Sequence, residues 1–158
     1  MPQHRKETIL ALIRSRLAAM TTAGGYHYDS QGAYAWMLPV MDAVATPCYV
    51  VADVGEEVVH RTPTLAHRSM RVVVQALVAL SPGSDPSPSL VLANVLADIE
   101  TCLDGAAGRA AFEALPGFVD MRLLSTAVAG LGDVGVPLAT LEAVYTVQYR
   151  TNVGDPEA

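Results

Sequence analysis

The residues whose types could carry chemistry are few: His4, His27, His60 and His67, the cysteines Cys48 and Cys102, and the adjacent carboxylates Glu56 and Glu57. Histidine and cysteine together would serve a metal. No two histidines stand at the i, i+4 helical spacing of a zinc site, however, and no cysteine lies at ligand spacing from a histidine. His60 and His67 flank one segment and could meet across a hairpin. Zinc asks for three or four ligands, so the expectation is solvated histidines and no metal. Nucleophilic chemistry fares no better. There is no Gly-x-Ser-x-Gly elbow, and Cys48 lies inside an apolar run, where a thiol is inert. Side chains of neighbouring residues on an extended segment point apart, so Glu56 and Glu57 suit a solvated charge pair better than acid–base work. The glycines at Gly24-Gly25 and from Gly130 to Gly135 lack both the Walker lysine and the dinucleotide spacing. The expectation is a chain with no catalytic residue, no cofactor and no enzymatic turnover.

The elements that would hold these residues can be read from periodicity. The clearest is the last: Leu141, Ala143, Tyr145, Val147 and Tyr149 fall on one face of an extended segment, and Thr140, Glu142, Val144, Thr146, Gln148 and Arg150 on the other. That alternation predicts a half-buried strand over Leu138–Arg150, stopped by Asn152, Gly154 and Pro156. At the other end, Ile9, Ile13, Leu17 and Met20 form one stripe of a helix from about His4 to Met20, closed by Thr21 to Gly25. A second helix is predicted from Pro88 to Leu103, with Ser87 as N-cap and Leu92, Val95, Leu96, Ile99 and Leu103 as its apolar stripe. Asn94, Asp98 and Glu100 are expected to face away.

Between the helices, Ala33–Met41 is an apolar run broken by Pro39, at best an edge strand. Thr46–Val54 and His67–Leu80 read as strands, the second apolar on both faces and therefore expected to be covered on both. Gly55 to Ala66, polar and punctuated by Pro63, is expected as a long exposed loop or the tip of a hairpin. Ser81 to Pro88 is a proline-rich breaker. Gly105–Pro116 is a short helix or turn, Phe118–Ala129 a weaker strand, and Gly130–Gly135 a flexible link. The order predicts an α+β fold: a single, mainly antiparallel β-sheet with two principal helices packed on one face.

The totals set the frame. At 158 residues, 51% hydrophobic and 16% charged, the chain is expected to be one folded domain, with a mobile loop expected at 81–88 and a tail at 151–158. Sixteen acids against ten Lys plus Arg give a net charge of -6, which argues against gripping nucleic-acid phosphates. Arg61, Arg68 and Arg71 do gather, but with Glu56 and Glu57 beside them; a mixed-sign patch suits a subunit contact better. The two cysteines are expected as buried free thiols of a reducing compartment. The helix begins almost at once with Arg14 and Arg16 through its middle, so neither signal peptide nor membrane span is expected.

Several segments, taken in order, carry a family likeness. They are the opening helix running into Thr21-Thr22-Ala23-Gly24-Gly25-Tyr26, the strand Pro47-Cys48-Tyr49-Val50-Val51-Ala52-Asp53, the helix with Ala93-Asn94-Val95-Leu96-Ala97-Asp98-Ile99, and the closing Val144-Tyr145-Thr146-Val147-Gln148-Tyr149-Arg150 with Gly154-Asp155-Pro156. Over nearly its whole length the chain resembles the tail terminator (tail completion) proteins of long-tailed bacteriophages, the group typified by the phage lambda terminator. The resemblance implies a homo-hexameric ring on the last ring of the tail tube. Such a ring ends tube polymerisation and offers a surface to the head-side connector, with DNA only passing through its channel. It implies a virion location at the head-proximal end of the tail, after assembly in the host cytoplasm. On this reading Arg61, Arg68 and Arg71 would meet Glu56, Glu57 or Glu142 of a neighbouring subunit, with Arg150 at the same interface. The runner-up is a head–tail connector or other minor tail protein. From another class, it is a small enzyme or ligand-binding domain with a pocket under the Tyr26–Trp36 loop.

Overall fold

The computed structural model describes residues 4–35, 46–80, 87–131 and 138–154. Among the described residues three α-helices and five strands follow one another as one helix, three strands, two helices and two strands. α1 (Arg5–Ala18) leads through a 3₁₀ turn at Thr22–Gly24 to β1 (Ala33–Ala35), β2 (Cys48–Arg61) and β3 (Leu65–Ala79). Then come α2 (Pro88–Asp104), α3 (Ala106–Glu113), β4 (Phe118–Leu131) and β5 (Leu138–Asn152). The strands form one sheet in the order β1-β2-β3-β5-β4. Every pair is antiparallel except β1 with β2, so the sheet is mixed. This is the α+β layer that the periodicities predict.

Alternation decides which face is covered. On β5, Ala139, Leu141, Ala143, Tyr145, Val147 and Tyr149 are buried, and β3 matches them with Met70, Val72, Val74, Ala76 and Val78. Ile9, Ile13 and Leu17 of α1, Val95, Ile99 and Leu103 of α2, and Phe112 of α3 join these residues in one core. Each buried aliphatic side chain of that set contributes about 1.5–3 kcal/mol. α1 lies along β1 and β2, α2 along β5, and α3 beside β4, where Phe112 stacks on Phe118 at 5.6 Å.

The opposite face of the sheet departs from expectation. Val73, Gln75 and Leu77 of β3 are only half-buried there and Arg71 is exposed, so β3 is not covered equally on both sides. Valine and leucine on that face made the strand look doubly covered; their neighbours Thr140, Glu142, Thr146 and Gln148 on β5 show why it is not. A second departure concerns Gly55 to Ala66. Strand pairing runs through Glu56, Glu57, Val58, His60 and Arg61, and the turn proper is only Thr62–Thr64. The hairpin-tip alternative holds and the long loop does not. Polar residues alternate poorly because this end of β2 projects past the helices, leaving no core to alternate against. Thr151 is buried and Asn152 ends β5, so the final strand takes up the first two residues expected of the tail.

The helix expectations hold with one exception. Ser87 stands at the N-cap of α2 with Pro88 as its first residue, but its hydroxyl meets Ser89 Oγ at 3.3 Å and caps no backbone N–H. Asp98 does not face away: it is 2% exposed, on a buried stripe with Val95, Ile99 and Cys102. Both cysteines are buried and free, and burial pushes both thiols up. No helix among the described residues is long and apolar enough to cross a membrane. The expectations for Trp36 to Met41, for Ser81 to Pro86, for the link at 132–135 and for Asp155-Pro156 lie outside the described residues.

Candidate functional site

Two polar clusters sit on the helix face and one shallow surface on the other. The first cluster centres on Glu56. Its carboxylate accepts from the Arg68 guanidinium and, at 2.9 Å, from the Tyr149 hydroxyl, while Lys6 Nζ stands 3.7 Å away. Arg68 Nε also donates to Thr151 Oγ1 at 3.1 Å, and Lys6 pairs with Asp53. Burial pushes the Glu56 carboxyl up, but the donors Arg68 and Tyr149 and the charges of Arg68 and Lys6 outweigh it. The carboxyl is held below the usual glutamate range. The Asp53 carboxylate, against some desolvation, holds Lys6 above the usual lysine range. Two cations and two carboxylates balance, so this cluster ties α1 to β2, β3 and β5 and leaves no net charge for a ligand.

The second cluster is Asp98 with His27. Asp98 accepts from the backbone N–H groups of His27 at 2.9 Å and Tyr28 at 3.1 Å, and meets His27 Nδ1 at 2.7 Å. A buried carboxylate is tolerable because three donors satisfy it. It pins the chain after the 3₁₀ turn onto α2. Arg16 Nε, donating to the Cys102 carbonyl at 2.9 Å, fastens α1 to the same helix.

The third feature is the open face of the sheet. Bulges interrupt β2 between Asp53 and Gly55 and between Val58 and His60; others interrupt β4 between Phe118 and Asp120 and between Leu123 and Ser125. At these four the extra residue is a large apolar one, and each is exposed: Val54 55%, Val59 60%, Val119 41% and Leu124 54%; a further shift in β4, between Ala129 and Leu131, has Gly130 as its extra residue. β4 is an outer strand, and β2 is one beyond its short pairing with β1, so these bulges break up the two long edges. Val54 and Leu124 rim a hollow of about 260 Å³ across β2, β3, β5 and β4, with Ser69, Arg71 and Thr146 among its lining residues. Ser69 and Thr146 hydroxyls share a hydrogen bond at 3.1 Å.

The seven interface residues expected from the sequence divide among these features. Glu56 and Arg68 satisfy each other inside the chain on the helix face. Glu57 and Arg71 lie on the open face, diagonal across the β2–β3 ladder, and neither has a side-chain ion pair among the described residues. Glu142 lies on that face too and accepts from Gln75 Nε2 at 2.6 Å. Arg150 is exposed opposite His67, and Arg61 is exposed beside the turn, opposite Ala66. Nothing local in the sequence marks Lys6, Asp53, Tyr149 and Thr151, because their role depends on elements far apart in the chain. The one local hint was Tyr149 on the buried face of β5, where a hydroxyl needs a partner.

Set against models of known protein families and against curated proteins, the chain matches none.

Proposed function

We propose that this protein is a structural assembly subunit of the phage tail-terminator kind, closing into a ring on the head-proximal end of a tail tube. The observation that supports it most is the open sheet face, which the three described helices leave bare while they cover the other. A sheet buried on one side only, with apolar side chains turned outward at bulges on both long edges, is a surface suited to another protein. It is also heterologous: the β2 edge and the β4 edge differ, so a contact joining one to the other repeats head to tail. Such a contact ends growth when the rotation closes and makes a filament when it does not. The resemblance to tail terminators supplies the identity of the partner, and the acidic balance suits a channel through which DNA slides.

The test is direct. Purified protein is sized by light scattering and imaged by electron microscopy, alone and with tail tubes. Rings seated at one end of the tubes, and tubes that stop lengthening, are the expected result. Protein that leaves tube growth unchanged, or that binds along the tube wall, overturns the reading.

A further inference from the structure

The far end of the β2–β3 hairpin sets His60 directly opposite His67. That juxtaposition depends on the bulge at Val59. In an unbroken ladder continuing from Val58 opposite Arg68, Val59 would face His67 and His60 would fall on the helix face. The extra residue turns His60 to the open face, where His67 already lies, at the expense of an exposed valine. The two rings stand 5.9 Å apart between centroids, edge to face at 72°. Two imidazoles on one tetrahedral ion, with metal–nitrogen bonds of about 2.0–2.1 Å, have centroids about 5 Å apart. Small side-chain rotations on this accessible strip close that gap, since His60 is exposed and His67 half-buried. Both rings line a hollow of about 70 Å³ together with Val59, Arg68, Val119, Gln148 and Tyr149.

We propose that His60 and His67 form a two-imidazole chelate for one divalent transition-metal ion, zinc or its neighbours copper and nickel, with water in the remaining positions. Neutral imidazole suits these ions, and an antiparallel pair holds both rings in register without further folding. Among the described residues no set of three histidine, cysteine or carboxylate side chains is placed to hold an ion. The site is therefore an open chelate and not a closed structural centre. The charges around it are mixed. Arg150 opposes His67 on β5 and opposes a cation; Glu57 on the open face of β2 favours one; Arg68 also lines the hollow, but its charge is paired with the Glu56 carboxylate. An ion bound there would clamp the projecting tip and stabilise the folded chain by mass action. None of this rests on the tail-terminator reading.

The experiment is zinc titration by calorimetry on the full-length, untagged protein, beside His60→Gln, His67→Gln and, as controls, His4→Gln and His27→Gln. The expected result is one zinc ion per chain, with affinity falling about tenfold or more in each hairpin variant and unchanged in the controls. Zinc should also raise the thermal midpoint of wild type and of the controls only. Histidine side-chain NMR on wild type gives a reading that needs no variant: zinc should perturb two imidazoles together. Absence of binding at millimolar zinc, binding indifferent to both hairpin substitutions, binding lost with His4 or His27, or perturbation of a single imidazole each overturns the proposal.

Discussion

Glu56 shows how a residue in a charge-rich segment can become a structural centre. Its carboxylate joins Arg68, Tyr149 and Lys6, and each of those comes from a different element. Glu56→Ala strands a buried tyrosine hydroxyl and a guanidinium, and should cost about 1–3 kcal/mol in denaturant unfolding, whereas Tyr149→Phe removes one bond and should cost about 1 kcal/mol. The pH dependence follows from the sign of the shift. Glu56 is held below its unfolded value, so its contribution is fully present above the unfolded pKa and is lost as pH falls through the folded one. Lys6 is held above its unfolded value, so its share persists through neutral pH and is lost only in strong alkali. An acid titration of unfolding should therefore be shallower below the usual glutamate range in Glu56→Gln than in wild type; identical curves would remove Glu56 from the account. Asp98 is the sharper case, because its carboxylate alone satisfies two backbone amides. Asp98→Ala should cost about 3 kcal/mol, read by thermal unfolding, and Asp98→Asn less, since one amide oxygen still accepts.

At the scale of elements, what could be read from the sequence is what packs against a core. α1, α2, β3 and β5 alternate against buried neighbours, so their apolar spacing predicts them within two or three residues at either end. The outer half of β2 has no such neighbour. From Glu57 to Arg61 every residue is exposed, and a strand held only by ladder hydrogen bonds to β3 has no apolar period to reveal it. Asp98 was hidden for the opposite reason: its partners are backbone amides, which leave no mark in the sequence. The bulges are equally silent, although they decide that Val54, Val59 and Leu124 point outward and that His60 meets His67. Cutting the centre of the Gly55–Ala66 segment would thus remove paired strand, not slack loop. Replacing Thr62–Thr64 with another three-residue turn should stay within about 0.5 kcal/mol, but deleting 58–61 should lower the thermal midpoint clearly, since it removes ladder pairs and exposes β3. Gly117, unlike that turn, is an element boundary where substitution is costly. It turns the chain into β4 at φ +77°, and a Cβ there would meet the Arg150 carbonyl at 2.6 Å and the Arg5 guanidinium that donates to it. Gly117→Ala should destabilise by about 2–3 kcal/mol, from left-handed strain and the displaced contact together.

For the molecule as a whole, the division of charge between the faces decides where a subunit contact can be electrostatic. Arg68, one of the expected bridging residues, is a poor probe: reversing its charge would break the internal pair with Glu56 and destabilise the fold before it reported on assembly. Arg71 and Glu57 are better. Both line the open-face hollow, neither has an ion-pair partner among the described residues, and both are exposed, so reversal should leave the fold within about 0.5 kcal/mol. If that face meets a neighbouring copy, Arg71→Glu and Glu57→Arg should each shift assembly toward smaller species, and raised salt should weaken wild-type assembly because exposed pairs are screened over about 10 Å at 0.1 M. One exposed pair is worth only about 0–1 kcal/mol, yet a closed ring repeats it at every interface, so small losses add around the circle. Apolar contact from Val54 and Leu124 must supply the rest, and Leu124→Ser should act in the same direction while remaining insensitive to salt. Light scattering of the four proteins at two ionic strengths separates these contributions. Assembly that is unmoved by all three substitutions would place any subunit contact off the open face.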